Sequence, residues 1–248
     1  MNKISVVIPC HNAESTLLKS VESVLTQTYP VSELLIYNDG SSDGTLTLLN
    51  RLKSTYPVIK IWSGEKSLGA GFARNFLLNK VASDFVAFLD SDDNWVQTKL
   101  AKQMAIMDQD PNVVIVFSGY DIYIDSHYLG SRRPFPKVNF WTMHIANWIP
   151  MSTALLRFSA CGSSKMPVMR RRQDYAYWLS ILKNNPQGTV KGHPESLLIY
   201  NRSLTSLSAS KLNNLKFNYK VFRESLNYSP VSSCFFVFFN VISRVFRK

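Results

Sequence analysis

The sequence contains few cysteines, and they lie far apart. Cys10, Cys161 and Cys234 suggest neither a disulfide framework nor the close spacing of a metal site, which favours a reducing compartment such as the cytosol. Internal repeats are absent, and so is any unbroken apolar run of the ~20 residues that a spanning helix needs. The apolar run near the N-terminus is too short for the core of a signal peptide. A chain of 248 residues with 46% hydrophobic residues is expected to form one folded domain of enzyme size.

Acidic residues are scarce in the second half of the chain. Residues 1–125 hold 10 Lys and Arg against 14 Asp and Glu, a net charge of −4, whereas residues 126–248 hold 18 against 3, a net charge of +15. Such a surface suits an anionic partner, and nucleic acid, a membrane surface and a lipid-linked diphosphate are the candidates. The sequence has no nucleic-acid recognition motif, so we expect no nucleic-acid partner. A basic surface that binds no particular partner is the remaining alternative.

Apolar runs alternate with helical patterns along the first half. Positions 17, 18, 21, 24 and 25 have the three- and four-residue spacing of a helix face. Strand–helix alternation predicts right-handed crossovers and a mainly parallel sheet flanked by helices, which is an α/β fold. The predicted strands are residues 4–8, ending before Pro9, 34–37, 58–62, 85–89 and 113–117. The predicted helices begin at about residues 17, 45, 68 and 96, and the third and fourth run to about Val81 and Asp108.

Carboxylates follow two of these strands directly. Asp39 comes after the second strand, and Asp90, Asp92 and Asp93 come after the fourth. Like charges this close repel, and a divalent cation bound by carboxylate oxygens removes that cost. Ligands of open α/β sheets also bind at the carboxyl ends of strands. The alternative is a solvated turn with helix-capping Asp residues.

Several segments together form a recognisable pattern. They are Ile4–Asn12, Glu22–Pro30, Asn38–Thr45, Arg74-Asn75, Phe88–Asp93 and Arg172–Tyr175. Together these segments resemble family 2 glycosyltransferases, closely over about the first hundred residues and again near residues 172–175 and 200–208. The resemblance implies the GT-A fold, a UDP-sugar donor, a Mn²⁺ or Mg²⁺ cofactor and inversion at the anomeric carbon.

The resemblance also implies roles for the residues of the first half. Asp39 is expected to accept hydrogen bonds from the uracil edge, beside Pro9 and His11. Asp92 is the expected metal ligand, with Asp93 as its competitor. The other expected nucleotide-sugar residues are Glu14, Arg74, Asp90 and Ser91.

Two positions depart from the family pattern. Asn38 stands where the family usually has Asp, and we interpret this as tolerable because Asp39 is kept. His11 stands where the family has Tyr. It is either a structural residue or a ring that stacks beside the base.

The second half is expected to hold the acceptor site. The resemblance implies that Asp174 deprotonates the acceptor hydroxyl, and Trp148 and Arg172 are the expected acceptor residues. Trp in such a place is often a core residue, and Asp174 is also placed to cap a helix. The run 170–172 either neutralises phosphates or forms a solvated surface.

These observations predict an inverting hexosyltransferase. The resemblance favours transfer from UDP-glucose or UDP-galactose to an undecaprenyl-diphosphate-linked N-acetylhexosamine, with a β linkage, in O-antigen or polysaccharide synthesis. A nucleotidyltransferase is an alternative, but residues 9–12 are not the Gly-rich phosphate loop it would need. A non-catalytic nucleotide-sugar binder is the other alternative, and the presence of Asp174 argues against it.

The C-terminal segment predicts a membrane contact. We expect a domain over 1–210, divided into a donor half (1–125) and an acceptor half (126–210), followed by a helical tail over 211–248. The tail is amphipathic, rich in Phe, and ends in Arg244, Arg247 and Lys248. An in-plane helix on the cytoplasmic face of the bacterial inner membrane is the prediction. The alternative is a helix that packs back onto the domain.

Overall fold

The computed structural model describes residues 2–201 and 211–245, and within the last stretch the side chains of 215–243. The Ser206-Leu207-Ser208 part of the family resemblance, Arg247 and Lys248 lie outside the described residues. The strands are β1 (Ile4–Cys10), β2 (Glu33–Asp39), β3 (Ile59–Gly64), β4 (Phe85–Phe88), β5 (Asn94–Trp95), β6 (Val113–Ile124), β7 (His127–Arg132), β8 (Leu155–Arg157) and β9 (Thr189–Asn201). The helices are α1 (Leu17–Leu25), α2 (Thr45–Thr55), α3 (Ala70–Leu78), α4 (Lys99–Gln109), α5 (Phe140–Ile145), α6 (Gln173–Asn184), α7 (Lys211–Lys220) and α8 (Pro230–Val245).

One sheet organises the described chain. Its strand order is β3-β2-β1-β4-β8-β6-β9-β5, with β7 paired to β6. The first four strands are parallel, as the alternation of strands and helices predicts. Strand β8 then pairs antiparallel with both β4 and β6, so the second half of the sheet is mixed. The mixed α/β sheet flanked by helices confirms the predicted fold class.

The central strands are buried on both faces. All seven residues of β1 and all seven of β2 are buried. Val7 and Leu35 contribute to the core on the side of α3 and α6, whereas Val6 and Leu34 contribute to the core on the side of α1, α2 and α4. This alternation follows from the two-residue period of a strand.

The predicted end of the first strand before Pro9 was wrong. Strand β1 continues through Pro9 to Cys10, and both pair with β2. Its pairing with β4 ends at Val7, two residues earlier. A proline is tolerated there because its missing N–H falls where the ladder to β4 stops.

Several helix and strand ends differ from the sequence prediction. Helix α3 ends at Leu78, and α4 begins only at Lys99. The last difference arises because Asn94–Trp95 forms a short strand that pairs with β9, about a hundred residues away in the chain. Strand β6 likewise continues past Phe117 to Ile124, because β7 and β9 pair with its second half.

The C-terminal helices pack onto the domain. A π-helical turn, Val221–Ser225, follows α7, and Val221 and Phe222 are fully buried in the same core as α6. Asn240 of α8 is buried and donates to the backbone carbonyl of His144 in α5 at 2.6 Å. Among the described residues, no helix has both the length and the apolar character to cross a membrane.

Candidate functional site

The predicted donor residues meet at one edge of the sheet. Asp39 is the last residue of β2, Pro9 and Cys10 end β1, and Asp90 follows β4 by two residues. Because β2, β1 and β4 are adjacent and parallel, their carboxyl ends lie side by side.

Asp39 holds the loop that precedes α3. Its carboxylate accepts from the Ser67 hydroxyl at 2.7 Å and from the backbone N–H groups of Leu68 and Gly69 at 2.8 Å each. Gly69 has a φ of +92°, which a glycine adopts without strain. Two carboxylate oxygens offer about four acceptor positions, so one remains for a base edge.

His11 and Glu14 lie beside this carboxylate with separate partners. Nδ1 of the exposed His11 lies 2.7 Å from the backbone carbonyl of Asp39, which favours a donating Nδ1–H and a free Nε2. Glu14 accepts from the backbone N–H of Gly44 at 2.9 Å, directly before α2. A Cβ on Gly44 would lie 2.3 Å from the Glu14 carboxylate, so a side chain at this position would displace that carboxylate. The structure thus places Glu14 on the start of α2.

Asp90 is paired with Arg74 of α3. The guanidinium Nη2 donates to Asp90 Oδ1, and the Arg74 side chain is buried whereas that of Asp90 reaches solvent. The Nε of Arg74 is buried without a partner. Ser91 follows in the turn and is half-buried. Arg74 is therefore placed to orient the Asp90 carboxylate from the buried side of the turn.

Asp92 and Asp93 face different environments. The Asp92 residue is exposed, yet the protein around its carboxyl, followed by the charge of Asp90, raises its pKa to about 6. Asp93 is buried, and burial with the charges of Asp90 and Asp92 raises its pKa well above the usual range. Hydrogen bonds from the Ser152 hydroxyl and the Asn201 backbone lower the pKa of Asp93 in part.

The acidic turn fits a divalent cation held by few protein ligands. Across residues 2–201 and 211–245, no group of three His, Cys, Asp or Glu side chains forms a metal cluster. The negative charge of Asp90 nevertheless raises the pKa of Asp92, which a bound cation would reverse. The buried Oδ1 of Asp93 has no hydrogen-bond partner. Two carboxylates with solvent and a diphosphate as further ligands suit Mg²⁺ or Mn²⁺.

Ser152 connects the acidic turn to the second half of the chain. Its buried hydroxyl accepts from the backbone N–H of Asp90 at 3.1 Å and bonds to Asp93, while its carbonyl accepts from the indole of Trp95 at 2.8 Å. Lys99 lies 4.0 Å from the centre of the Trp95 ring and is itself fully buried. Our sequence analysis did not assign this role to Ser152. The only sequence feature that could have pointed to Ser152 is its place directly after Pro150 and Met151.

Asp174 lies in the first turn of α6. Its Oδ2 accepts from Nδ2 of Asn147 at 2.6 Å, and it is half-buried. The residue before the helix is Arg172, whose φ of +65° places it in the left-handed region. Asp174 does not cap the helix, because the cap position is Arg172. The sequence analysis missed Asn147, which lies one residue before Trp148.

Helices α6 and α3 approach closely at their first turns. A Cβ on Gly71 would lie 2.8 Å from the side chain of Gln173, so the absence of a side chain on Gly71 permits the contact. This contact brings the helix that carries Asp174 against the helix that carries Arg74. The candidate base and the candidate donor site therefore share one edge of the fold.

Trp148 and Arg172 have partly structural surroundings. The Trp148 ring stacks on Phe135 with 3.8 Å between centroids, and its indole N–H donates to the Thr142 carbonyl at 2.8 Å. Trp148 remains half-buried and packs against the core. The Nε of Arg172 is buried without a partner. The structure thus supports the core alternative for one face of Trp148.

Comparisons with known proteins identify similar glycosyltransferases. The chain is 33% identical over 236 residues to the putative teichuronic acid biosynthesis glycosyltransferase TuaG of Bacillus subtilis (strain 168), which covers 94% of this chain and 92% of the relative. It is also 33% identical over 214 residues to the UDP-Glc:alpha-D-GlcNAc-diphosphoundecaprenol beta-1,3-glucosyltransferase WfgD of Escherichia coli, covering 86% and 82%.

Solved structures identify the fold as GT-A. S. aureus TarS 1–349 in complex with UDP-GlcNAc matches with a TM-score of 0.75 at 18% identity, covering 95% of this chain and 70% of that chain. The Pyrobaculum calidifontis mannosyltransferase PcManGT, in complex with GDP-Man and Mn²⁺, matches with a TM-score of 0.69 at 15% identity, covering 92% and 65%. The model of Glycosyl transferase family 2 matches residues 5–171, and on this match the chain belongs to glycosyl transferase family 2.

Proposed function

We propose that the protein transfers a hexose, glucose or galactose, from a UDP-sugar to a lipid-linked N-acetylhexosamine diphosphate with inversion, which forms a β linkage. One observation carries the proposal. Residues 147–152 hold Asp174 through Asn147 at one end and the Asp90–Asp93 turn through Ser152 at the other. Five residue steps span at most about 19 Å between Cα atoms, so one short segment joins the candidate base to the acidic turn of the candidate donor site.

The donor would bind along the carboxyl ends of β1, β2 and β4. Asp39 has one acceptor position free for the uracil edge, and the exposed His11 ring lies beside it, next to Pro9. Asp90, oriented by Arg74, would hold the ribose or the metal shell, and Ser91 lies in the same turn. Glu14 would act indirectly, by fixing the start of α2.

Asp92 is the better metal ligand of the two candidates. Asp92 is exposed as a residue, whereas Asp93 is buried against Ser152 and Asn201. A bound Mn²⁺ or Mg²⁺ would supply charge neutralisation for the diphosphate leaving group. The buried Asp93 would instead keep the turn in place.

Asp174 would take the proton from the acceptor hydroxyl. As the hydroxyl oxygen forms its bond to the anomeric carbon, the bond from that carbon to the diphosphate breaks and UDP leaves. Attack from the face opposite UDP converts an α-linked donor into a β-linked product. Trp148 and Arg172, near Asp174, are the proposed acceptor contacts.

The acceptor class is argued from relatives and charge. The name of WfgD describes transfer of glucose from UDP-Glc to GlcNAc-diphosphoundecaprenol, and that of TuaG describes teichuronic acid biosynthesis. The second half of this chain, with its net charge of +15, suits a diphosphate at an anionic membrane. We therefore propose polysaccharide repeat-unit assembly at the cytoplasmic face of the bacterial inner membrane, with the protein peripherally bound.

A donor and acceptor screen tests the proposal. The full chain with Mn²⁺ would be offered UDP-glucose, UDP-galactose and UDP-GlcNAc with a short-lipid diphosphate-GlcNAc acceptor, and products would be read by mass and linkage by NMR. We expect a mass gain of one hexose and a β linkage. An α-linked product would contradict inversion, and no product with any UDP-hexose would contradict the proposed reaction.

A further inference from the structure

Helices α5 and α8, which contact one another, expose several large apolar side chains. Trp141 of α5 is 69% exposed, and Phe235, Phe238 and Val231 of α8 are 56%, 60% and 80% exposed. Large apolar side chains clustered on one surface mark an interaction site, whereas scattered ones do not. We call these four residues, with the less exposed Ile145, Phe239 and Val241, the aromatic surface.

The opposite side of α8 is fixed to the domain. Asn240 donates to the His144 carbonyl at 2.6 Å, and Ser243 donates to the Ile145 carbonyl at 3.1 Å. The Phe236 ring lies 4.6 Å from the His144 ring, and Asn218 of α7 donates to Asn240 at 2.9 Å. The α8 part of the aromatic surface is therefore presented by a helix held in one orientation, and its residues at positions 231, 235, 238, 239 and 241 recur at the spacing of one helix face.

We propose that the aromatic surface is the contact of this protein with the headgroup region of an anionic phospholipid bilayer, with α8 lying in the plane of the membrane. The 16 residues of α8 form an amphipathic helix about 24 Å long. Phe and Trp side chains at the boundary between apolar and polar layers are typical of interfacial helices. The described chain contains no helix that could span the membrane instead.

Charge selects the bilayer over an uncharged partner. Lys216 of α7, which packs on α8, and Arg223 after it are exposed. Arg244, Arg247 and Lys248 follow the aromatic residues in the sequence. Each cation near an anionic surface adds attraction, which salt weakens.

The aromatic surface is connected to the candidate base. The His144 carbonyl that accepts from Asn240 also lies 3.3 Å from the hydroxyl of Tyr175, which donates to the Met143 carbonyl at 2.6 Å. Tyr175 is the neighbour of Asp174. In this respect the inference rests on the proposed function. A membrane bound at the aromatic surface would lie at a fixed orientation relative to Asp174, the proposed base for the lipid-linked acceptor.

Deletion of α8 would not test the inference, because it would expose Phe222 and leave the buried partners of Asn240 unpaired. The test is instead the double variant Phe235→Ser/Phe238→Ser, which changes two exposed side chains. The matched control is Leu129→Ser/Val168→Ser, since Leu129 and Val168 are 57% and 92% exposed but lie elsewhere. Val231→Ser/Phe238→Ser is the second variant, for use if the first unfolds.

The measurement is co-sedimentation of the full chain with vesicles of phosphatidylethanolamine and phosphatidylglycerol, and with phosphatidylcholine alone. We expect wild type and control to bind the anionic vesicles, with weaker binding at high salt, and the test variant to bind about tenfold or more weakly. Activity on a short-lipid acceptor without vesicles should be the same in all three.

Three results would overturn the inference. The first is equal vesicle binding by wild type and test variant, and the second is no binding of wild type to anionic vesicles. The third is that wild type forms a dimer and binds no vesicles, while the test variant is a monomer. The third would assign the aromatic surface to a second copy of the chain. Vesicle binding by a wild type that transfers no sugar would support the membrane contact and contradict the proposed function.

Discussion

Asn147 donates through Nδ2 to Oδ2 of Asp174 at 2.6 Å, and its own Oδ1 accepts from the backbone N–H of Ile149 at 3.3 Å. The second hydrogen bond fixes which way the amide points, so that its NH₂ group faces the carboxylate. A carboxylate restrained in this way keeps one oxygen in a defined place, with the other oxygen left for a substrate proton.

The first prediction concerns Asp174 itself. Asp174→Asn keeps the size of the side chain but cannot accept the proton, so we expect turnover to fall by about 10²–10⁴. Binding of the UDP-sugar, measured by calorimetry, should persist. A variant that keeps more than about a tenth of wild-type turnover would show that Asp174 is structural.

The second prediction concerns Asn147 as a positioning residue. Asn147→Ala removes a hydrogen bond to a charged group, worth about 1.5–3 kcal/mol, so we expect kcat to fall about ten- to hundredfold. Asn147→Asp has the same size but places a second carboxylate against Asp174, and it should be worse than Ala. The KM for the donor should change little in both.

The control for Asn147 is Asn185→Ala at the other end of α6. Asn185 donates to the carbonyls of Ala160 and Ile181 at 2.9 and 2.8 Å, and it has no proposed part in the reaction. If Asn185→Ala lowers kcat as much as Asn147→Ala, the effect is a general loosening of α6.

The third prediction separates Asp92 from Asp93. Asp92→Asn should raise the Mn²⁺ concentration for half-maximal activity more than tenfold, because it removes a charged ligand from the turn. Asp93→Asn should leave that concentration nearly unchanged, and it should keep or raise thermal stability, because burial and the charges of Asp90 and Asp92 disfavour a charged carboxyl at this position. Activity would be titrated with Mn²⁺ after EDTA treatment. If Asp93→Asn raises the Mn²⁺ requirement and Asp92→Asn does not, Asp93 is the metal ligand. Full activity in EDTA would show that the reaction needs no metal.

The sequence predicted the donor half of the site better than the connections between the halves. The sequence predicted that Asp39 and Asp90 lie at one edge of the sheet because each stands at the carboxyl end of a buried apolar run, and adjacent parallel strands bring their ends together. Ser152 binds the backbone of Asp90 across 62 residues of sequence, and a lone serine gives no periodic signal of such a contact.

The antiparallel strands escaped prediction for the same reason. Strand β8 has three residues and β5 has two, which is too short for an alternating pattern. Both are fixed by partners distant in the chain. For the C-terminal helix the structure shows the packing of the second alternative, through Asn240, while the in-plane membrane contact stays a prediction that the exposed Phe235 and Phe238 leave open.

The fourth prediction concerns Asp39 and the loop it holds. Asp39→Ala removes three hydrogen bonds to residues 67–69, so we expect donor affinity to fall by about one to two decades and stability to fall as well. Ser67→Ala removes one of the three and keeps the carboxylate. Donor affinity would be measured by calorimetry with UDP. If Ser67→Ala weakens UDP binding as much as Asp39→Ala, Asp39 acts only through the loop.

The last prediction concerns pH and the attachment of α8. His144 is buried, its Nδ1 lies 2.7 Å from the Phe140 carbonyl, and its Nε2 lies 2.9 Å from the Tyr228 hydroxyl. Nδ1 therefore carries the proton of a neutral ring, and Nε2 accepts from Tyr228. Burial lowers the pKa of His144, and the hydrogen bond to the Phe140 carbonyl offsets this in part.

The direction of the pH effect follows from that pKa. The folded chain binds the imidazole proton less tightly than the unfolded chain, where the pKa is about 6.5. The contribution of His144 to stability is thus complete above about pH 6.5 and is lost as the pH falls from there toward the lower, folded-state pKa. We expect wild type to lose more thermal stability between pH 8 and pH 5 than His144→Gln, which stays neutral. His127→Gln, at an exposed position of β7, should behave as wild type. Equal pH dependence of wild type and His144→Gln, read from thermal unfolding across this range, would show that the ring does not resist protonation in the folded state.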